Sequence, residues 1–214
     1  MPPGALHAAL AGLLRGERAF VSTRLLLAAL IALYMSVGHL PRALAQAVGS
    51  PGGSFELTDH NGRPFASTAL AGRPHAIFFG FTHCPDVCPT TLLEMSNNLA
   101  SLGADADRLR VVFVSVDPER DTPERLREYL SAFDPRIIAL TGSEPQIAAA
   151  AKGWGAFYSK VPEDNGTYTI AHSAYVYLMD ADNRLVDTLG FQENEPEQLT
   201  KLRRLLAAGG GSTR

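Results

Sequence analysis

Cysteine is almost missing from this chain. Its 214 residues hold two, Cys84 and Cys88. That rules out a disulfide-rich scaffold and a four-cysteine zinc site, and any intrachain disulfide must join this one pair. Charge of one sign is missing too. Lys and Arg number 19 against 22 Asp and Glu, a net −3, so nucleic-acid binding has no electrostatic support. A run long enough to cross a membrane is also lacking: Leu25 to Val37 is uncharged and apolar for thirteen residues, where a spanning helix needs ~20. There is no internal repeat. With 46% hydrophobic and 19% charged residues, the composition is that of an ordinary globular protein.

What is present divides the chain. Residues 1–24 carry Arg15, Arg18 and Arg24 against the single acid Glu17, ahead of the apolar run. A signal-peptide core spans roughly 7–15 residues and is followed by a small-x-small site, which Ala43-Leu44-Ala45 supplies. An uncleaved anchor is the second reading, with the apolar window stretched through Leu40; a buried soluble helix is the third. The first two export the following domain to the same side of a membrane, the bacterial periplasm. The Arg- and Ala-rich start also suits a mitochondrial presequence, which would place the domain at the inner membrane facing the intermembrane space. Residues 1–45 are therefore assigned to a signal or anchor, 46–54 to a Gly/Pro/Ser linker, 55–207 to one folded domain and 208–214 to a flexible tail.

Within the domain the hydrophobic period alternates between strand and helix. Phe55 to Thr58, before Asn61-Gly62, predicts an edge strand. His75 to Phe81 (HAIFFGF) predicts a central strand buried on both faces, and Val111 to Val116 a second. Pro89 to Leu102 has helical spacing ended by Gly103. Thr122-Pro123-Glu124 opens another helix with a cap, a proline and an acid in its first turn. A short strand follows at Ile137–Leu140, then a helix over Ser143–Lys152 with Ser143 as its cap. Tyr168 to Met179 is β-rich, and Asp182-Asn183 turns it into Leu185–Thr188. The last helix covers Glu195 to Leu206. The class is α/β: a mixed sheet with helices on both faces, in the order of a thioredoxin-like fold with an inserted helix.

Both cysteines lie where the first buried strand meets a helix. Pro89 after Cys88 puts Cys88 at or near the helix N-cap and Cys84 on the loop before it, where free N–H groups and the helix dipole stabilise thiolate. On spacing alone, the three-residue spacer Pro85-Asp86-Val87 favours a disulfide or redox pair, with a soft ligand pair for Cu(I) or Zn(II) as the second reading. A third ligand decides between them, and the candidates are His60, His75, His83 and His172. His83 adjoins Cys84, and on an extended backbone its side chain points the other way. His60 and His75 are expected at the surface. His172 stands at the mouth of a predicted buried strand, where a structural histidine is the ordinary expectation.

Three motifs carry a resemblance: Phe79-Gly80-Phe81-Thr82-His83-Cys84-Pro85-Asp86-Val87-Cys88-Pro89-Thr90-Thr91-Leu92, then Val114-Ser115-Val116-Asp117-Pro118-Glu119-Arg120-Asp121-Thr122-Pro123, then His172-Ser173 before an aromatic-rich strand. In this order, across about Phe55 to Leu206, the chain resembles the SCO/SenC family of copper-binding, thioredoxin-like proteins. The resemblance implies copper held by Cys84, Cys88 and His172, as Cu(I) and also Cu(II). It implies a role in assembling the dinuclear copper site on subunit II of cytochrome c oxidase, with an upstream copper donor protein. It further implies an inner-membrane tether if the N-terminal segment is retained. Two thiolates and an imidazole leave a Cu(I) site one open side for ligand exchange, and oxidising the pair to a disulfide removes two donors. Many members carry an acid before the histidine, where this chain has Ala171. Asp86, Asp117 and Asp121 are motif positions as well; for Asp117 and Asp121 capping and turn roles are expected, for Asp86 a weak oxygen donor role.

The rival reading is a thiol–disulfide oxidoreductase keeping exported cysteines reduced. Thioredoxin relatives of that kind typically have C-x-x-C faced by a proline before a strand. This chain has C-x-x-x-C and no proline between Pro162 and Pro196; His172 stands in that neighbourhood. A peroxidase of peroxiredoxin type, with a remote resolving cysteine, fits less well again, and a structural zinc site lacks a fourth soft ligand.

Overall fold

The structure, a computed structural model, describes residues 51–208. The signal or anchor, most of the linker and the tail beyond residue 208 lie outside the described residues. Among the described residues no helix is long and apolar enough to cross a membrane.

Among the described residues, nine strands and four α-helices follow one another as β1 (Glu56–Asp59), β2 (Pro64–Ala66), β3 (His75–Gly80), α1 (Val87–Leu102), β4 (Arg110–Ser115), α2 (Pro123–Leu130), β5 (Ile137–Thr141), α3 (Glu144–Trp154), β6 (Tyr158–Pro162), β7 (Tyr168–His172), β8 (Val176–Met179), β9 (Leu185–Leu189) and α4 (Glu195–Ala208). Seven strands form one mixed sheet in the order β2-β1-β5-β4-β3-β8-β9, while β6 and β7 pair only with each other. Strands β3, β4 and β5 run parallel, and β1, β2, β8 and β9 join antiparallel.

The unbroken apolar runs of β3 and β4 follow from burial on both sheet faces. Alternate residues divide between two cores. Ala76, Phe78, Val111 and Phe113 pack with Leu92, Met95 and Leu99 of α1, Leu126 of α2, and Leu202 and Leu205 of α4. Ile77, Phe79, Val112 and Val114 pack with Ile147, Ala151 and Trp154 of α3 and with Ile170 of β7. Helix starts obey their caps. The Thr122 side chain accepts from the Arg125 N–H, and Ser143 and Gln146 form a capping box.

Four expectations are corrected. The strand β1 is not an edge, because the Asn61-Gly62 turn returns the chain as β2, which pairs along its outer side. The stretch from Tyr168 to Met179 is not one strand. It breaks after His172, so that β7 joins the separate ribbon and β8 the main sheet. His75 is fully buried, its Nδ1 donating to the Arg73 carbonyl at 3.0 Å and its ring edge-on to Trp154. Burial pulls its pKa down, against the hydrogen bond to that carbonyl. His60 is half-buried, and its Nδ1 accepts from the Ala139 N–H at 3.2 Å. Both histidines serve the sheet.

Candidate metal centre

The centre is built where β3 ends. Gly80 closes the strand, and Phe81 to Asp86 form the loop into α1, with the Cys84 N–H donating to the Phe81 carbonyl at 3.3 Å. Helix α1 begins at Val87, two residues before the expected start, so Cys88 lies inside the first turn and the N-cap position falls to Asp86. Pro89 is tolerated there because the first turn's N–H groups have no intrahelical partner. Asp86 is exposed and makes no side-chain cap bond.

Cys88 is buried at 1% exposure, whereas Cys84 is half-buried; both are free. Cys88 belongs to the core on the α3 face, together with Phe81 and Ile170. Its position demands glycine at 80. A Cβ there would overlap Cys88 Sγ and lie 2.8 Å from the Phe113 ring. Sequence reasoning did not single out Gly80, although a glycine interrupting an apolar strand run is the available signal for close approach.

His172 arrives from far along the chain, as the last residue of β7 opposite Tyr158. Its Nε2 lies 3.5 Å from Cys88 Sγ, and one ligand atom from each of Cys84, Cys88 and His172 lies within 4.8 Å of the others. Nδ1 is 2.8 Å from the Ser173 carbonyl, an acceptor, so Nδ1 carries a proton and Nε2 is the nitrogen that faces the sulfurs. The ring stands edge-on to Phe81, with centroids 5.7 Å apart. A trigonal ion with bonds of ~2.3 Å to sulfur and ~2.0 Å to nitrogen spaces its donors ~3.7–4.0 Å apart. The three side chains can therefore close on a soft ion with small rotations.

Their protonation suits the same task. The hydrogen bond from Cys88 outweighs partial burial and, with His172, draws the Cys84 pKa down to about 3. Cys88 is pushed up by that same hydrogen bond to the Cys84 sulfur and by burial. Burial works against a charged His172, but the Cys84 sulfur and the Ser173 carbonyl outweigh it and raise its pKa. These shifts place the thiolate on the more exposed sulfur, and binding a metal through both sulfurs would expel a proton from Cys88.

The other predicted positions fall elsewhere. His83 is exposed, its Nδ1 3.1 Å from Thr82 Oγ1 and 3.9 Å from Asp121. Asp121 is buried and accepts from the Thr82 N–H (2.9 Å), the Thr82 hydroxyl (2.6 Å) and the Ser115 hydroxyl (2.6 Å). Asp117, also buried, accepts from the Arg120 Nε and from the Tyr168 hydroxyl at 2.8 Å, while its carbonyl takes the Arg120 and Asp121 N–H groups. His83, Asp117 and Asp121 come within 4.8 Å of one another, but these carboxylates are already engaged in tying loops together. Ala171 is exposed and pairs with Ser159.

The relatives share this arrangement of elements. The SCO1/SenC family pattern matches residues 45–207. The mitochondrial protein SCO2 of Saccharomyces cerevisiae is 40% identical over 162 residues, covering 73% of this chain and 53% of that protein, so the chain spans about half the length of that relative. The structure of Bradyrhizobium japonicum ScoI with copper bound superposes with a TM-score of 0.69 at 45% identity, over 73% of this chain and 99% of that one. BsSco, described as a member of the Sco family of cytochrome c oxidase assembly proteins, has the same fold at 23% identity and a TM-score of 0.60, over 77% of this chain and 95% of that one. With its mixed sheet, its cysteine pair at the end of β3 and a match along three quarters of its length, the chain is a thioredoxin-like protein of the SCO1/SenC family.

Proposed function

We propose that this protein is a copper metallochaperone. It binds Cu(I) through Cys84, Cys88 and His172 and delivers copper, or matures the receiving site, at the dinuclear copper centre of cytochrome c oxidase subunit II. The observation that carries the reading is the approach of His172 Nε2 to within 3.5 Å of Cys88 Sγ, across 84 residues of sequence. Two soft sulfurs and one imidazole select Cu(I) over the harder divalent ions. The half-exposed, already ionised Cys84 is the entry and exit sulfur; buried Cys88 is the firmer ligand. A three-donor site keeps one side open, so an acceptor's thiolate or imidazole can attach before the first bond is released. The same reading includes an upstream donor protein, and export of the domain to the periplasm or the intermembrane space.

The test is a Cu(I) titration of the reduced protein against a chelator of known affinity. One equivalent should bind, and His172→Ala should weaken binding by more than the ~10–100-fold that loss of a group behind a ligand costs, with the fold retained. Equal affinity in parent and His172→Ala would remove the ligand assignment. Loss of oxidase activity on deletion, restored by added copper, supports delivery.

The depressed pKa of Cys84 favours a second reading, a thiol–disulfide oxidoreductase. In that reaction the Cys84 thiolate attacks a substrate disulfide, one substrate sulfur leaves as thiol, and Cys88 then displaces the other, leaving the protein oxidised. It predicts stoichiometric reduction of a disulfide by metal-free protein, with the stoichiometry kept in His172→Ala even if the rate changes.

A further inference from the structure

The ribbon that brings His172 to the sulfurs has little to hold it. β6 and β7 share no ladder hydrogen bonds with the main sheet, and a two-stranded hairpin is marginal by itself. β6 is exposed from Ser159 onward, and Ile170 is the only fully buried residue of the two strands. Among the described residues, the hydrogen bonds and ion pairs that leave the ribbon, the His172 side chain aside, all end on Asp117, Glu119 and Arg120. Arg120 Nη1 donates to the Tyr168 carbonyl at 2.9 Å, and its guanidinium carbon stacks 3.9 Å over the Tyr168 ring. The Tyr168 hydroxyl lies 2.8 Å from Asp117 and 3.0 Å from Glu119, and Lys160 pairs with Glu119 at 2.7 Å. The Arg120 guanidinium carbon is also 5.8 Å from the centre of the Phe81 ring, the ring that meets His172 edge-on.

The next residue pulls the other way. Asp121 grips the backbone and side chain of Thr82, two residues before Cys84. A single loop after β4 therefore holds both halves of the centre, the histidine ribbon by Arg120 and the cysteine loop by Asp121.

We propose that Arg120 is a positioning residue for His172: by clamping Tyr168 it sets the approach of β7, and so the distance of Nε2 from the sulfurs. Only a planar guanidinium can stack on the Tyr168 ring while donating to the Tyr168 carbonyl and to Asp117. The inference rests on the copper reading for its affinity test, and a metal-free test stands beside it.

The experiment is a double-mutant cycle on Cu(I) affinity, by chelator competition, with Arg120→Gln and His172→Ala. Arg120→Gln should weaken binding ~10-fold in the parent, the usual scale for a group behind a metal ligand. In the His172→Ala background it should change nothing. Arg120→Lys should recover little of the loss. Asp121→Asn acts through the cysteine loop, so its loss should persist without His172. An Arg120→Gln effect of equal size in both backgrounds, or none in either, overturns the proposal. In metal-free protein, the His172 ring signals in an NMR spectrum should shift on Arg120→Gln while those of buried His75 stay put. Unmoved His172 signals also overturn it. A parent that takes up no Cu(I) sinks the copper reading, and the metal-free spectrum then decides the positioning role alone. Should Arg120→Gln fail to fold, Tyr168→Leu removes the other half of the clamp and carries the same cycle.

Discussion

The two halves of the centre are built by opposite means. The cysteines sit at the junction of a fully buried strand and a sixteen-residue helix, with Cys88 wedged over Gly80. The histidine sits at the end of a ribbon that is largely exposed; Ile170 is its one fully buried residue, Tyr158 and Tyr168 pack against the same core, and its polar ties run to one loop. The first half is pre-formed by the core. The second is adjustable and is set by a handful of side chains. On the proposed copper reading, a protein that takes up an ion and then gives it away would gain from that inequality: the sulfurs would keep their place, and the third donor could leave at a small cost.

The sharpest way to break this comparison is amide hydrogen exchange. Opening free energies run from near zero to the global value, ~5–15 kcal/mol. Amides of β3 and β4 should exchange only by global unfolding, and those of β6 and β7 ~10³-fold faster. Equal protection would mean that the ribbon is as firmly built as the sheet. Thiol labelling comes next. Above pH ~4 Cys84, with a pKa of about 3, is already thiolate, so its iodoacetamide rate should be flat from there to neutrality and fall only on further acidification. Cys88, buried and pushed up, should label ~10²-fold more slowly at neutral pH. A smaller effect is expected of Gly80→Ala, which forces a methyl into the Cys88 sulfur and the Phe113 ring. It should cost ~1–3 kcal/mol and lower the melting temperature by roughly 3–10 °C. Thr122→Ala, which removes only the cap of α2, should cost ~1 kcal/mol in thermal unfolding without releasing the ribbon preferentially. Smallest is the acid response of Asp134. The hydrogen bond from Arg136 holds its folded pKa below the unfolded value, so its stabilisation is present above pH ~4 and is lost as pH falls through the folded pKa. Asp134→Asn should flatten that part of an acid titration.

Much of the first half could be read from residues in a row. The apolar run of β3, the helix starts at Thr122 and Ser143, and the confinement of both cysteines to one strand–helix junction all rest on local period, capping chemistry and arithmetic. The second half could not be read from local pattern, and His172 entered only through the resemblance carried by the His172-Ser173 motif. Nothing local separates His172 from His75: each stands at an end of a strand. One proved to be core, with its Nδ1 on the Arg73 carbonyl, and the other turned its Nε2 to sulfur. The polar, exposed β6 lacks the apolar alternation that signals a strand, since its partner is only β7. Arg120 enters the sequence reading only as one residue of a motif, and its place becomes visible when Tyr168, 48 residues later, lies beneath its guanidinium.

By itself the sequence determined the pair of sulfurs, their place at a strand–helix junction and the alternating layers around them, because these depend on neighbours within a few residues and on which side chains avoid water. Only the tertiary structure decided how the His172 imidazole, which the sequence offered through a family resemblance alone, reaches the sulfurs, which nitrogen it presents and what holds it there. Those are contacts between segments far apart in the chain, and they exist only once the ribbon has docked against the loop after β4.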